Sequence, residues 1–236
     1  MIRTLLCDLD DTLFDHSGAT RDALATVRET TSAFRAWSLN EFDRRHRVVL
    51  EALHLEVLAG RWTVEDARVE RFRQLLQAAG VDESRAEVLD EISWSYRRAY
   101  ESAWRMVPGA LALAAAVKAA GWQLVIMTNN VVREQQLKVE RGGLAPYVDA
   151  LVTSEEFGAS KPDPRIIHHA IDRVQSRPEH AVVFGDSIST DIAGGRAAGV
   201  RVVWFNRARV PSPDSTLTEV HALEPVADVM RILAAP

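Results

Sequence analysis

The sequence has little cysteine, little lysine and no long apolar segment. Its one cysteine, Cys7, excludes an internal disulfide and any metal site built from several cysteines. Cys7 lies inside the apolar run 2–9, so we interpret it as a small buried core residue. No stretch reaches the roughly 18 apolar residues of a membrane span, and the N-terminus carries carboxylates where a signal peptide would be apolar. We therefore expect a cytoplasmic protein without a membrane partner.

An excess of positive charge is also missing. The formal net charge is -5 and the pI is near 5.8, whereas binding to a phosphate backbone normally needs a basic face. A nucleic-acid polymer is therefore not an expected partner. Hydrophobic residues make up 47% of the chain, which is enough for a packed core and excludes a disordered protein. The sequence leaves both a monomer and a homodimer open.

The spacing of apolar residues changes along the chain. Residues 2–9 form a short apolar run that predicts a buried strand. From Asp15 to Trp104 the apolar residues recur at helical spacing, which predicts about four helices, with breaks near Asn40, Gly60 and Gly80. Beyond Pro108, short apolar runs alternate with helical segments. The short apolar runs predict strands at 123–127, 150–153, 181–184 and 200–205. The helical segments predict helices at 110–120, from 130 onward, at 164–174 and after 191.

This alternation of strands and helices predicts right-handed βαβ units and a parallel sheet. The predicted fold class is therefore α/β: a doubly wound, Rossmann-like core with an inserted α-helical domain. Residues 1–14 and 105–236 would form the core, and residues 15–104 would form the insert. A length of 236 residues is consistent with one domain that carries an insert, because domains usually have roughly 100 to 200 residues.

Polar residues stand where several predicted strands end. Asp8 and Asp10 follow the first strand, Thr128 follows the second, Lys161 lies in the loop after the third, and Asp186 follows the fourth. Because ligands of a parallel α/β sheet bind beyond the carboxyl ends of its strands, we expect these side chains to share one site. Clustered carboxylates need a cation, and aspartate oxygens suit Mg²⁺.

The remaining polar groups indicate phosphoryl chemistry. A lysine and a threonine beside a magnesium carboxylate site are what a bound phosphoryl group needs, since its oxygens take hydrogen-bond donors and positive charge. Asp8 and Asp10, two residues apart, offer a nucleophile and an acid/base group. The chain has no G-x-G-x-x-G and no G-x-x-x-x-G-K-[ST] motif, so a Rossmann cofactor or a P-loop is disfavoured.

Four short motifs stand in a fixed order along the chain. They are Asp8-Leu9-Asp10-Asp11-Thr12-Leu13, Thr128-Asn129, Lys161-Pro162-Asp163-Pro164 and Gly185-Asp186-Ser187-Ile188-Ser189-Thr190-Asp191. Together they resemble the four motifs of the haloacid dehalogenase-like (HAD) hydrolase superfamily, over essentially the whole chain. The resemblance implies a helical cap inserted after the first motif, a cap that closes over the site and selects the substrate.

The resemblance also implies a role for each matching residue. Asp8 would attack phosphorus and become the aspartyl-phosphate. Asp10 would protonate the leaving alkoxide and later deprotonate water, and its main-chain carbonyl would help to bind Mg²⁺. Thr128 would hydrogen-bond the phosphoryl oxygens, and Lys161 would neutralise them and hold Asp8. Asp186 would complete the metal site.

The same resemblance implies roles for three further residues. Asp191 would be a metal-site carboxylate, either as a direct ligand or beside the ligands. Asn129 in the second motif and His16, just beyond the first, are candidates for substrate contact. The other two lysines of the chain, Lys118 and Lys138, receive no role.

Asp10 separates two branches of the superfamily, because 2-haloacid dehalogenases lack an aspartate at the matching position. Residues 15–104 contain no lysine, which disfavours a phosphonatase with a cap lysine. The expected function is therefore Mg²⁺-dependent hydrolysis of a small phosphorylated metabolite. A nucleoside monophosphate, as for a nucleotidase, is slightly favoured over a sugar phosphate. A 2-haloacid dehalogenase and a non-catalytic binding protein on the same fold are the alternatives.

Overall fold

The computed structural model describes residues 1–83 and 85–235 and divides the chain into two compact units. One unit comprises Met1–Asp15 and Arg105–Pro236, and the other comprises His16–Trp104. Ser84 and Pro236, which fall in the predicted insert and core, lie outside the described residues. Asp15 belongs to the first unit, and its amide donates to the carbonyl of Arg105 in the same unit over 3.0 Å.

All the regular secondary-structure elements described in the unit His16–Trp104 are helices. Its helices are α1 (His16–Thr30), α2 (Leu39–Leu58), α3 (Val64–Ala78) and α4 (Ala86–Ser102). The predicted break near Asn40 is present, although Asn40 itself is the second residue of α2. The chain breaks just before it, where the hydroxyl of Ser38 accepts from the amide of Glu41 and caps the helix.

The other unit contains a six-stranded parallel sheet with the order β3-β2-β1-β4-β5-β6. The strands are β1 (Thr4–Cys7), β2 (Gln123–Thr128), β3 (Ala150–Thr153), β4 (Ala181–Gly185), β5 (Arg201–Phe205) and β6 (Glu219–Val220). The parallel pairing confirms the predicted α/β class. Only β6 was not expected, because its two residues are too short to form an apolar pattern.

Helices flank this sheet. They are α5 (Ala110–Ala119), α6 (Val132–Arg141), α7 (Ser154–Phe157), α8 (Pro164–Arg173), α9 (Ala193–Ala197) and α10 (Val226–Ala234). Alternate strand residues such as Leu6, Val125 and Val183 share a buried cluster with Ile166 and Ile167 of α8. Within a strand the members of this cluster are two residues apart, as Val125 and Met127 are in β2, which is the period of side chains on one face of a sheet. None of the helices that the structure describes is long and apolar enough to cross a membrane.

Candidate active site

The site begins at Asp8, the first residue beyond β1. The amide of Asp8 donates to the carbonyl of Phe184 over 2.9 Å, which ties it to the neighbouring strand β4. Its side chain is buried, and the hydroxyl of Thr12 donates to Oδ2 over 3.1 Å. In the turn between these residues, the carbonyl of Leu9 accepts hydrogen bonds from main-chain amides further along the turn. The turn thus fixes the direction of the Asp8 carboxylate.

Lys161 supplies the positive charge at this carboxylate. Its Nζ donates to Oδ1 of Asp8 over 2.7 Å, to Oδ1 of Asp191 over 2.7 Å and to the carbonyl of Met127 over 2.8 Å. The side chain is only 2% exposed. Burial alone would lower the pKa of Lys161, but the charges of Asp191 and Asp8 outweigh it and raise this pKa above its ordinary value. The lysine is therefore held as a buried ammonium ion.

Asn129 holds the loop that carries Lys161. Its side-chain Nδ2 donates to the carbonyl of Lys161 over 2.8 Å, and its Oδ1 accepts from the amide of the same residue over 2.7 Å. The structure thus gives the Asn129 side chain a bracing contact, and the expected contact with substrate stays a prediction. Thr128, buried at the end of β2, lies at the same edge of the sheet as Asp8.

Three carboxylates converge beside the ammonium of Lys161. Oxygen atoms of Asp8, Asp186 and Asp191 lie within 4.8 Å of one another. Burial raises the pKa of Asp8 to about 7; Lys161 opposes this increase and Asp191 adds to it. Burial and the charges of Asp8 and Asp191 also raise the pKa of Asp186 to about 8. One lysine therefore does not compensate three clustered negative charges, and a hard dication with oxygen ligands suits this donor set.

The backbone around Asp186 and Asp191 is fitted closely to these side chains. The amide of Ser187 donates to Oδ2 of Asp191 over 3.1 Å, and the indole nitrogen of Trp204 donates to the carbonyl of Asp186 over 2.7 Å. A Cβ atom added at Gly185 would lie 2.7 Å from Cβ of Asp191, closer than real Cβ contacts come. A side chain is therefore not accommodated at position 185 while Asp191 keeps its place.

Asp10 is surrounded by hydrogen-bond donors that the sequence analysis did not identify. The Nζ of Lys138 lies 2.7 Å from Oδ1 of Asp10, and Nε2 of Gln135 lies 2.9 Å from Oδ2. A longer contact of 3.4 Å joins Nδ2 of Asn130 to Oδ2. The side chain of Asp10 is 21% exposed. The scarcity of lysine was the one signal that could have directed attention to Lys138.

His16 lies in the other unit, at the first residue of α1. Its Nδ1 lies 2.7 Å from the hydroxyl of Tyr100, and the two rings meet edge to face with centroids 5.5 Å apart. These contacts fix the imidazole within the helical unit. The expectation that His16 contacts substrate stays a prediction.

Comparison with known proteins supports the assignment that the motifs suggested. The sequence is 29% identical to the HAD-hydrolase YfnB of Bacillus subtilis, over 98% of this chain and 96% of that protein. The crystal structure of YfnB, bound to magnesium, covers 99% of both chains with a TM-score of 0.75 and 27% identity. The chain is also 31% identical to a phosphoserine phosphatase of Thermus thermophilus, over 90% of this chain and 94% of that one.

A shorter match joins the chain to the pyrimidine 5'-nucleotidase YjjG of Escherichia coli, at 34% identity over 50% of this chain and 55% of that protein. The family description that matches residues 2–199 is that of a haloacid dehalogenase-like hydrolase. This match covers the four motifs up to and including Asp191. The chain therefore belongs to the haloacid dehalogenase-like hydrolase family.

Proposed function

We propose that this hydrolase is a Mg²⁺-dependent phosphomonoesterase that forms an aspartyl-phosphate on Asp8 and acts on a small phosphorylated metabolite. The observation that carries the proposal is the group of Asp8, Asp186 and Asp191 around Lys161, with Asp10 at the same strand end. An ammonium ion and a dication beside a carboxylate nucleophile are what a phosphoryl group requires during transfer.

The metal would be held by Asp8 and Asp186, with Asp191 as a third carboxylate and the main-chain carbonyl of Asp10 as a further oxygen ligand. When bound, Mg²⁺ would offset the repulsion among the carboxylates and neutralise charge on the phosphoryl oxygens. Lys161 would oppose the increase in the pKa of Asp8, and so keep more of the nucleophile ionised. Thr128 would donate to a phosphoryl oxygen.

The reaction would proceed in two steps on these side chains. In the first, a carboxylate oxygen of Asp8 forms a bond to phosphorus, the bond from phosphorus to the ester oxygen breaks, and Asp10 gives its proton to the leaving alkoxide. In the second, water attacks the phosphorus of the aspartyl-phosphate while the Asp10 carboxylate takes a proton from it. Inorganic phosphate leaves and Asp8 regains its carboxylate.

Asp10 favours phosphate ester hydrolysis over dehalogenation. A halide leaves as a stable anion and needs no proton, whereas an alkoxide is strongly basic and needs a general acid. The structure holds the Asp10 carboxyl with donors at both oxygens, two residues beyond the nucleophile. An esterase needs such a carboxyl to protonate its alkoxide leaving group, whereas a dehalogenase releases a halide and does not.

The relatives support a small phosphorylated substrate without specifying which one. Two of them are named for phosphoserine and for pyrimidine nucleotides, which share a phosphate ester but differ in the group that carries it. We assign the choice of substrate to the helical unit, as a cap, with His16 as a contact residue. This assignment rests on the family resemblance and on the separate packing of residues 16–104.

The decisive experiment measures phosphate release from 4-nitrophenyl phosphate by the purified full-length chain, with Mg²⁺ or with EDTA. We expect activity only with Mg²⁺, and its loss in Asp8→Asn but not in Asp228→Asn, which changes a surface aspartate paired with Arg231. Phosphate release that needs no metal, or that survives in Asp8→Asn, would contradict the mechanism. Chloride release from a 2-chloro acid would instead support the dehalogenase alternative.

A second assay addresses the substrate class. Nucleoside 5'-monophosphates, phosphoserine and sugar phosphates are compared at equal concentration by their values of kcat/KM. We expect one class to exceed the others by about tenfold or more, since a specific hydrogen-bonding site rejects ligands that leave its groups unpaired. His16→Ala should then lower kcat/KM for the preferred class more than for 4-nitrophenyl phosphate.

A further inference from the structure

Lys138 on α6 is a fully buried lysine, which is rare because an ammonium ion loses much hydration energy on burial. Its Nζ lies 2.7 Å from Oδ1 of Asp10, 3.4 Å from Oε1 of Glu134 and 4.8 Å from the ring centroid of Phe14. The two carboxylates and the aromatic face together offset the cost of burial. The shortest of these contacts is made to the residue we propose as the acid/base group.

Gln135 adds to this contact from the same helix. Residues 135 and 138 are three positions apart, so their side chains lie on one face of α6. Gln135 is fully buried and donates through Nε2 to Oδ2 of Asp10 over 2.9 Å. Lys138 therefore holds one oxygen of the Asp10 carboxyl and Gln135 holds the other, so that rotation of the group about its side-chain bonds is restricted.

We propose that Lys138 is a positioning residue for Asp10, supported by Gln135, and that this pair fixes the direction in which Asp10 delivers its proton to the leaving group. The inference rests on the proposed function, because it concerns the acid of that reaction. A general acid works only within hydrogen-bond reach of the atom it protonates, and a displacement of about 1 Å can cost about 10²-fold in rate. The family motifs in this chain do not include α6.

A purely structural role for the ion pair is the competing explanation. Replacing a buried pair by apolar side chains is often neutral for stability, so a buried lysine is weak evidence of a stabilising role. The two explanations differ in what they predict for leaving groups. A structural defect lowers the rate for every ester alike, whereas a misplaced acid affects esters in proportion to their need for a proton.

The test compares kcat/KM for an alkyl phosphate and for 4-nitrophenyl phosphate, since kcat/KM reports the step in which the leaving group departs. An alkoxide is strongly basic and needs protonation, and 4-nitrophenolate needs it far less. For Lys138→Met we expect about a 10²-fold loss with the alkyl phosphate and less than about a threefold loss with the aryl phosphate. Lys138→Arg, which keeps a donor and the charge, should recover part of the alkyl activity.

A double variant tests whether Lys138 acts through Asp10. In an Asp10→Asn background the acid is already absent, so adding Lys138→Met should cause no further loss with the alkyl phosphate. Equal losses with both esters, or losses that multiply in the double variant, would overturn the inference. The matched control is Lys118→Met, which removes a 2.7 Å pair with Asp149 at the exposed side of the same unit and should change neither rate.

Gln135→Leu provides the same comparison without changing a charge, and it replaces Lys138→Met if that variant does not fold. It should show a smaller loss that is again confined to the alkyl phosphate. Activity of the unchanged protein distinguishes failure of the proposed function from failure of the inference about Lys138. If it hydrolyses neither ester, the proposed function fails and the inference falls with it. If it hydrolyses both, and Lys138→Met and Gln135→Leu lose both equally, only the inference fails.

Discussion

The side-chain ammonium of Lys161 lies 2.7 Å from Oδ1 of Asp8. The same nitrogen lies 2.7 Å from Oδ1 of Asp191, so one buried cation links the proposed nucleophile to a carboxylate of the proposed metal site. Its position depends on Asn129, which binds the main chain of Lys161 at both its amide and its carbonyl. The third motif is thus attached to the second by hydrogen bonds between the Asn129 side chain and the Lys161 main chain, and to the first by the ion pair with Asp8.

Removing this cation should affect both stability and activity. In Lys161→Met, Asp8 and Asp191 would face each other without their shared donor, and loss of one partner of a buried ion pair costs about 3 to 5 kcal/mol. We expect a decrease of this size in the free energy of unfolding of the metal-free protein, measured with urea near neutral pH. Hydrolysis of 4-nitrophenyl phosphate should fall by about 10³-fold or more, because Lys161 contacts the nucleophile.

The control for this variant is Lys118→Met. The Lys118 ammonium is also 2.7 Å from a carboxylate, that of Asp149, but its side chain is 36% exposed. An exposed pair contributes about 0 to 1 kcal/mol, so this variant should remain close to the unchanged protein in both measurements. If Lys161→Met unfolded at the same urea concentration as Lys118→Met, the buried ion pair would not have the role assigned to it.

The cluster of Asp8, Asp186 and Asp191 predicts a pH dependence of stability and of metal binding. The pKa values of Asp8 and Asp186, about 7 and about 8, lie above the ordinary aspartate value of about 3.9. A carboxyl with a raised pKa in the folded state contributes stability below its unfolded pKa and loses it as the pH rises through the folded value. The metal-free protein should therefore lose stability between about pH 4 and about pH 8 at these two groups.

Mg²⁺ should restore this stability, because it binds the ionised carboxylates. We expect the increase in melting temperature on replacing EDTA by Mg²⁺ to be larger at about pH 8.5 than at about pH 6, where protons compete for the same oxygens. Asp186→Asn should melt above the unchanged protein in EDTA at the higher pH, by about 2–4 °C per kcal/mol of relieved repulsion. A Mg²⁺ effect of equal size at both pH values would contradict the proposed ligand set.

Close packing at Gly185 predicts a further dependence of the site on its backbone. In Gly185→Ala, the new methyl group would overlap Asp191, which is held by Lys161 and by the amide of Ser187. Displacing this carboxylate should lower kcat/KM for 4-nitrophenyl phosphate by about 10- to 100-fold, which corresponds to about 1.4 to 2.7 kcal/mol. The Mg²⁺ concentration needed for half-maximal activity should increase in parallel.

A loss of stability alone would also reduce activity, so this variant needs a destabilised control. Val183→Ala removes buried methyl groups from the same strand, β4, without approaching the carboxylates. It should lower the melting temperature and leave the Mg²⁺ requirement unchanged. An unchanged Mg²⁺ requirement in Gly185→Ala would show that Asp191 tolerates the methyl group.

The sequence predicted the elements whose signals are local and strong. Strands β1 to β5 are apolar runs that end in polar residues, and the strand-end rule brought Asp8, Lys161 and Asp186 to one edge before any coordinates were known. Contacts of α6 could not be predicted in this way. Its sequence, VREQQLKVER, is typical of a solvated helix face, and the burial of Lys138 depends on Asp10, 128 positions away, and on the distant ring of Phe14.

Gly185 could not be assigned for a similar reason. Its role becomes visible only when the chain brings Asp191 back against the end of β4. Asp15 is a third example. Its two arginine partners, Arg105 and Arg207, lie 90 and 192 positions further along the chain. Pairing between distant side chains leaves no pattern in the sequence near either partner.

Asp15 makes two ion pairs with arginines. Asp15 is buried and accepts from Arg105 over 2.7 Å and from Arg207 over 2.6 Å. Burial alone would raise the pKa of Asp15, but the hydrogen bonds from Arg207 and Arg105 outweigh it and hold this pKa below its ordinary value. A carboxyl of this kind stabilises the folded state above its unfolded pKa and loses that contribution as the pH falls.

Asp15→Asn should therefore reduce the free energy of unfolding by about 1.5 to 3 kcal/mol near neutral pH, the value of a hydrogen bond to a charged group. The difference from the unchanged protein should shrink as the pH falls from about 4 through the lowered pKa of Asp15, because protonation then removes the charge of this side chain. Urea unfolding near neutral pH and below about pH 4 measures this difference in the free energy of unfolding, with Asp228→Asn as the exposed control. A difference that stays constant with pH would show that lost packing, and not the charge of Asp15, accounts for the effect.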